Sequence, residues 1–268
     1  MALVLTDALP ATELNGGDLV HVFQGHDRHF LEWISRAPQT NEVGRAAVLI
    51  AASRFLAGLG HDDLDLLELG ASAGLNLNFP LYHLDPERMD AQPDGVILTP
   101  DWHGTPPDPR PLRFGTARGV DLSPVDAIRD GLRLLAYVWP DQPQRAARLR
   151  AALAIACQHP PQVDQGDAAP WLATQLARPA QRGRMVYHTV AAQYFPAESR
   201  ARIETLLHET GAATTPGKPL CHVSMESAGP EGMALQLRLW DKGRMRSWNL
   251  GRAHAHAQWI DWRPRETT

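Results

Sequence analysis

The chain is poor in cysteine: Cys157 and Cys221 are the only two in 268 residues, too few for a disulfide framework. They fall in stretches that read as a helix (ARLRAALAIAC) and a strand (PLCHVSM), so both are expected as small buried apolar residues, and a reducing cytoplasm fits. Excess positive charge is missing too. The net charge is -4 with a pI near 6.3, so no global field holds a phosphate backbone or an acidic membrane surface. Neither nucleic acid nor a membrane is an expected partner. No apolar run approaches the ~18 residues of a spanning helix, and the first 25 residues lack the cationic start and apolar run of a secretion signal. HExxH and paired CxxC motifs are absent, and His254 and His256 alternate on an expected strand without an obvious third ligand, so no metal site is expected. What the chain has is 44% hydrophobic and 21% charged content, enough for one domain with a full core.

The opening, with Pro10, Gly16 and Gly17 and no clear period, reads as irregular. HDRHFLEWIS (26 to 35) reads as a helix. After Pro38 a second helix is expected, capped by Thr40 or Asn41 with Glu42 in its first turn, and with Val48, Leu49, Ala52, Phe55, Leu56 and Leu59 as its core face. LDLLELG (64 to 70) has the look of a buried parallel strand feeding a turn. Six prolines from Pro93 to Pro111 make 80 to 117 an insertion, a loop or edge hairpin around VILTPDW. A second strand is expected at Gly119 to Leu122. A helix capped by Ser123, with Pro124 at its first position and Asp126 three after the cap, then buries Val125, Ile128, Leu132, Leu135 and Trp139. DQPQRAARLRAALAIAC is a further helix, QVDQGDA a short strand, PWLATQLA a short helix and RMVYHTVAA (184 to 192) a strand. PAESRARIETLLHET is a helix closed by Gly211. PLCHVSM and a hairpin of MALQLRLW and MRSWNL, turned at DKG, end the pattern. Strands alternating with helices predict an α/β fold, a doubly wound, mostly parallel sheet with a C-terminal antiparallel hairpin. Residues 1–60 form a helical N-terminal cap on the α/β domain of 61–268, the two making one structural unit.

The sharpest signal is ELGASAGLN, Glu68 to Asn76, where a strand turns through small residues that let backbone approach a ligand, with free N–H groups at the turn. The order acidic-x-Gly-x-x-x-Gly resembles the first motif of class I S-adenosylmethionine-dependent methyltransferases, a Rossmann-like fold. That resemblance implies S-adenosylmethionine as cofactor, with its methionine part over Glu68, Gly70, Ser72, Gly74 and Asn76. By the same resemblance Asp121, in GVDLSP, holds the ribose hydroxyls, Asp167, in QGDAAPWL, contacts the adenine amino group, and MVYHTVAAQYF lines the methyl-transfer cleft. Gly74 and Asp121 lie much farther apart than the ~20 residues usual in a dinucleotide fold. The proline-rich insertion accounts for the excess and makes Asp101 a rival ribose ligand. A closer likeness runs from about Gln39 to Trp262. The strings QTNEVGR, ELGASAGLN, GVDLSPVD, VWP followed by RAARLRAAL, and RAHAHAQWIDW resemble the bacterial domain of unknown function 2332, which implies a methyltransferase-like fold and supplies no substrate.

His188, at the expected cleft level of its strand, is the candidate acid or base, because imidazole titrates near neutrality. Gln39, Asn41, Glu42 and Arg45 form a dense polar set expected to close over the cleft, so Asn41 and Glu42 join His188 as catalytic candidates. The expected acceptor is a small molecule with an oxygen, nitrogen or carbon nucleophile, since the (N/D)PP(F/Y) signature of amide and adenine N-methylation is absent. GASAG also satisfies GxSxG, the nucleophile elbow of α/β-hydrolases, with Ser72, Asp167 and His188 in the right chain order for an esterase. Too little sheet precedes Ser72 for that fold. GxGxxG and the P-loop Gly-Lys-Ser/Thr are absent, which excludes their phosphate cradles. A binding module that kept the fold without the chemistry stays open.

Overall fold

In the computed structural model, which describes residues 16–34, 40–85 and 95–267, nine strands form one sheet. In chain order the strands are β1 (Asp63–Leu69), β2 (His83–Leu84), β3 (Ile97–Leu98), β4 (Asp101–Gly104), β5 (Arg113–Asp121), β6 (Val163–Gln165), β7 (Gly183–Thr189), β8 (Leu220–Ser227), β9 (Met233–Asp241), β10 (Arg244–Ala253) and β11 (Trp259–Thr267). The helices are α1 (Gly16–Gly25), α2 (Asp27–Ile34), α3 (Ala46–Gly58), α4 (Gly131–Ala136), α5 (Pro143–Gln158), α6 (Ala168–Ala177) and α7 (Ala197–Ala212). Across the sheet the order is β4-β11-β10-β9-β8-β7-β1-β5-β6. The half from β8 to β6 is parallel, β8 to β11 pair antiparallel, and β4 joins β11 in parallel. β2 and β3 form a separate parallel pair.

Central parallel strands are covered on both faces, which is why every residue of β7 is buried. Alternation sends Leu64, Leu66, Met185 and Tyr187 to one face, where α3 and α5 cover them. Leu67, Leu69 and Val186 go to the other, under α6 and α7. Helices thus lie on both faces of a mostly parallel sheet, as the alternating pattern implies. α3 is apolar nearly all round, and Ala46 to Ala52 are each at most 7% exposed. Its first two turns are core on every side rather than along one face, while Phe55 and Leu59 are only partly buried. Among the described residues no helix is long and apolar enough to cross a membrane.

Several local expectations are corrected. Residues 16 to 20, expected as irregular, open a helix that runs to Gly25, and Phe23 meets Phe30 of α2 with ring centres 4.5 Å apart; residues 1 to 15 lie outside the described residues. The cap before α3 is Glu42 rather than Thr40 or Asn41. Its carboxylate accepts from Gly44 N, and a single 3₁₀ turn, Val43–Arg45, precedes the helix. No α-helix starts at Ser123, because the Asp126 carboxylate takes the N–H groups of Ile128 and Arg129, both at 2.9 Å, and fixes a local turn instead. α4 begins only at Gly131, so the expected stripe breaks: Val125 is buried, but Ile128, Leu132 and Trp139 are 54%, 53% and 71% exposed. Gly211 does not end α7 but lies inside it, where a Cβ would stand 2.3 Å from the Trp240 ring. VILTPDW is no hairpin. Pro100 divides it into β3 and β4, and β4 lies at the sheet edge opposite β5 and β6. Residues 254 to 258 are a turn, not a strand, and the following β11 was not foreseen. β11 contains Pro264; β4 stops pairing at Trp262, so the proline sits where that side of the ladder is open.

Candidate active site

In the parallel half the chain moves from β1 to β5 and β6 on one side, then returns to β7 on the other. The crevice outside the carboxyl ends of β1 and β7 is therefore a topological switch point, the usual ligand position in open α/β sheets. ELGASAGLN occupies it. Gly70 and Gly74 have φ of +75° and +70°, and a Cβ at either would lie 2.6 Å from Ala191 Cβ or Val163 Cγ2. Conformation and packing both demand glycine there. Most of the turn's N–H groups, which the motif leads one to expect free, have acceptors within the protein. Gly70 and Ala71 donate to Val120 O, Gly74 to Ala71 O, Leu77 to Gly74 O, Ser72 to Asp121 Oδ2 at 2.8 Å and Leu75 to Asn41 Oδ1 at 2.9 Å. A 3₁₀ helix, Leu75–Leu81, follows instead of an α-helix.

Three side-chain atoms on this segment stand out. Glu68 Oε2, Ser72 Oγ and Asn76 Oδ1 are buried without a hydrogen-bond partner. Burial, reinforced by Asp121, pushes the Glu68 carboxyl well above the ordinary carboxylate range, against the pull of Arg45. Asp121 ends β5, as expected, and its carboxylate also accepts from Ser123 N at 2.9 Å. Asp167 follows β6 and N-caps α6 through Ala169 N at 2.8 Å, while Ser199 Oγ donates to its other oxygen at 2.9 Å.

The polar set from QTNEVGR is brought onto this loop. Besides the Asn41 bond to Leu75, the Glu42 carbonyl accepts from Asn76 Nδ2 at 3.3 Å. Glu42 Oε1 accepts from Gly44 N at 3.0 Å, and Oε2 pairs with Arg145 of α5 at 2.6 and 2.7 Å, the side chains being 4% and 10% exposed. Arg45 donates to Thr189 O at the end of β7 and to Ala255 O in the turn before β11. Burial lowers its pKa, partly offset by Glu42 and Glu226. Gly44 lies so close to this turn that a Cβ would stand 2.5 Å from His256 O. Thus QTNEVGR, the glycine loop and RAHAHAQW, far apart in the chain, converge at the carboxyl end of the parallel strands. Gln39 lies outside the described residues.

His188, on β7, is buried, and its Nδ1 lies 2.6 Å from Glu226 Oε1 at the end of β8. The same oxygen accepts from Ala191 N and Ala192 N. Burial works to raise the Glu226 pKa, but His188 and the two N–H groups outweigh it and hold it low. The His222 ring lies 5.0 Å from His188, and its Nδ1 faces Arg238, 2.8 Å away. Burial, then His188 and Arg238, press its pKa well below normal. Sequence reasoning missed Glu226 because the strand PLCHVSM was taken to end at Met225. The available signal was a carboxylate at the carboxyl end of a parallel strand. Ser72, Asp167 and His188 are not hydrogen bonded to one another.

A pocket of about 490 Å3 opens beside this cluster. Gly44 and Ala47 on α3, the segment 98–100, the start of α5 from Asp141 to Arg148, and Ala257 with Gln258 line it. No residue of the glycine loop does. Among the described residues no group of three or more His, Cys, Asp or Glu is arranged to hold a metal ion. The family model DUF2332, described as an uncharacterised protein conserved in bacteria, matches residues 7–262. No curated protein matches the sequence.

Proposed function

We propose that this chain, which belongs to the DUF2332 family, binds S-adenosylmethionine at the crevice between β1 and β7 and methylates a small-molecule acceptor. The observation that carries the reading is the set of orphaned atoms Glu68 Oε2, Ser72 Oγ and Asn76 Oδ1, on the end of strand β1, the glycine turn and the 3₁₀ helix that follows it at the switch point. Each buried polar group without a partner costs about 1–3 kcal/mol, a cost that a ligand with complementary groups removes. Their chemistry suits the cofactor. Oxygen acceptors serve an amino group and a positively charged sulfonium, and Asp121, held at the end of β5 by bonds from Ser72 N and Ser123 N, is a carboxylate of the kind that accepts from ribose hydroxyls. Asp167, the cap of α6, is the residue to which the resemblance gives the adenine contact.

The bound cofactor supplies an activated methyl group, so the protein's task is positioning. Asn41 and Glu42 hold the loop through Leu75 N and Asn76 Nδ2 and act as positioning residues. His188 takes the acceptor's proton at Nε2, because Glu226 occupies Nδ1 and orients the ring. An esterase built on Ser72 is less well supported. The positive φ of Ser72, +53°, suits an elbow, but Asp167 is engaged by Ala169 and Ser199, and His188 pairs with Glu226 instead.

S-adenosylhomocysteine tests the proposal directly. A ligand that binds only the native state at a hundred times its Kd stabilises it by about 2.7 kcal/mol, so the melting temperature rises. Absence of both a thermal shift and calorimetric heat at millimolar ligand refutes the reading. Binding without methyl transfer to any acceptor favours the non-catalytic module.

A further inference from the structure

We propose that the pocket at the start of α5 is a binding site for a small organic anion, a carboxylate or phosphate ester, with Arg148 as its principal anchor. The two arginines that reach it differ in one respect. Arg145 is neutralised by Glu42 and also bonded to Gln142. The side chain of Arg148, one turn farther along the same helix face, has no hydrogen bond or ion pair among the described residues, and its Nε is buried without a partner. Burial lowers its pKa; Glu42 raises it, but Arg145 beside it lowers it again. A guanidinium so placed has no carboxylate in ion-pair contact, Glu42 being taken by Arg145, and its planar fork of donors matches a carboxylate or phosphate. Asp141, the acid that lines the pocket, forms no pair with it. Leu98, Ala47 and Ala257 supply apolar wall, while Gln144 and Gln258 add groups able to orient a ligand. A volume near 490 Å3 falls within the ~300–1,000 Å3 of small-molecule sites. The inference stands apart from the cofactor reading, since the pocket touches none of Gly70 to Asn76 and its test needs no cofactor.

The test uses three probes sharing one ring: phenyl phosphate, benzoate and neutral phenol, each followed by calorimetry and thermal shift at constant ionic strength. At least one anion is expected to bind the wild type measurably while phenol does not, and the stronger of the two identifies the headgroup. Arg148→Ala should weaken that binding tenfold to a hundredfold, with Arg148→Lys intermediate because the charge remains and the fork is lost. The ligand-free melting temperature of Arg148→Ala should not fall, since no protein partner is lost; a fall typical of a broken buried ion pair assigns Arg148 a structural role and overturns the proposal. Equal affinity of Arg148→Ala and wild type, binding of phenol as tight as that of the anions, or no binding by either anion overturns it as well.

Discussion

Glu42→Ala is expected to be the most destabilising single change at the site. Its carboxylate is 4% exposed, accepts two guanidinium N–H groups of Arg145 at 2.6 and 2.7 Å, and caps Gly44 N at 3.0 Å. Alanine leaves the Arg145 guanidinium, itself 10% exposed, with the Gln142 side chain as its remaining partner. A surface pair would be worth about 0.2–1 kcal/mol. Removing one partner of a buried pair costs about 3–5 kcal/mol, and the lost cap belongs to the same order. For a chain of this size about 1 kcal/mol corresponds to 2–4 °C, so the melting temperature followed by circular dichroism should fall by about 6–20 °C. Arg145→Met should cost a similar amount, since it strands a buried carboxylate. The double variant Glu42→Ala with Arg145→Met should recover most of the loss, leaving about 1 kcal/mol for the cap. A single-variant shift below about 2 °C, or a double variant that simply adds the two losses, refutes this account.

Two further outcomes are expected at the crevice. Glu68→Gln mimics the protonated carboxyl. With its native pKa raised, Glu68 is neutral in both states below the ordinary glutamate range; above it the unfolded chain releases the proton first, and stability falls until the native pKa is passed. Glu68→Gln should therefore be at least as stable as wild type at neutral pH and show a shallower decline above pH 5, and a lower melting temperature at pH 7 contradicts the assignment. Asp121→Ala should weaken S-adenosylhomocysteine binding by roughly 1.5–3 kcal/mol, about tenfold to a hundredfold. Asp101→Ala, on the opposite edge of the sheet, should leave it unchanged; equal titration curves for Asp121→Ala and wild type remove Asp121 from the site.

Elements whose period and length agree were legible. LDLLEL, RMVYHT and LCHVSM could be read as central strands because continuous apolar character is what burial on both faces requires, and all three lie side by side. Legibility failed where a side chain competes with the backbone. Asp126 ties its own turn and delays α4 by several residues, and Glu42 displaces Asn41 as cap because Asn41 turns to Leu75 instead. Gly211 shows the same limit: a glycine near a helix end reads as a cap, yet this one makes room for Trp240, a contact with a residue on β9. At the site, the loop and Asp121 were visible because both sit at strand ends. Arg145 and Glu226 were not, since their roles arise from partners 103 and 38 residues away.

The site's polar groups sort by charge in a way that constrains any ligand. On the glycine-loop side stand the acceptors Asn76 Oδ1 and the Asp121 carboxylate, with the Ser72 hydroxyl and the protonated Glu68 carboxyl able to donate as well as accept. On the pocket side stands Arg148, with no carboxylate in ion-pair contact. Glu42 separates the two, its carbonyl bonded to Asn76 and its carboxylate to Arg145, which lines the pocket. A ligand that relieves Asn76 Oδ1 must bring a donor, whereas one that relieves the pocket must bring negative charge. Groups of different character thus stand on either side of one buried ion pair, Glu42 with Arg145, so the loop and the pocket can be probed independently.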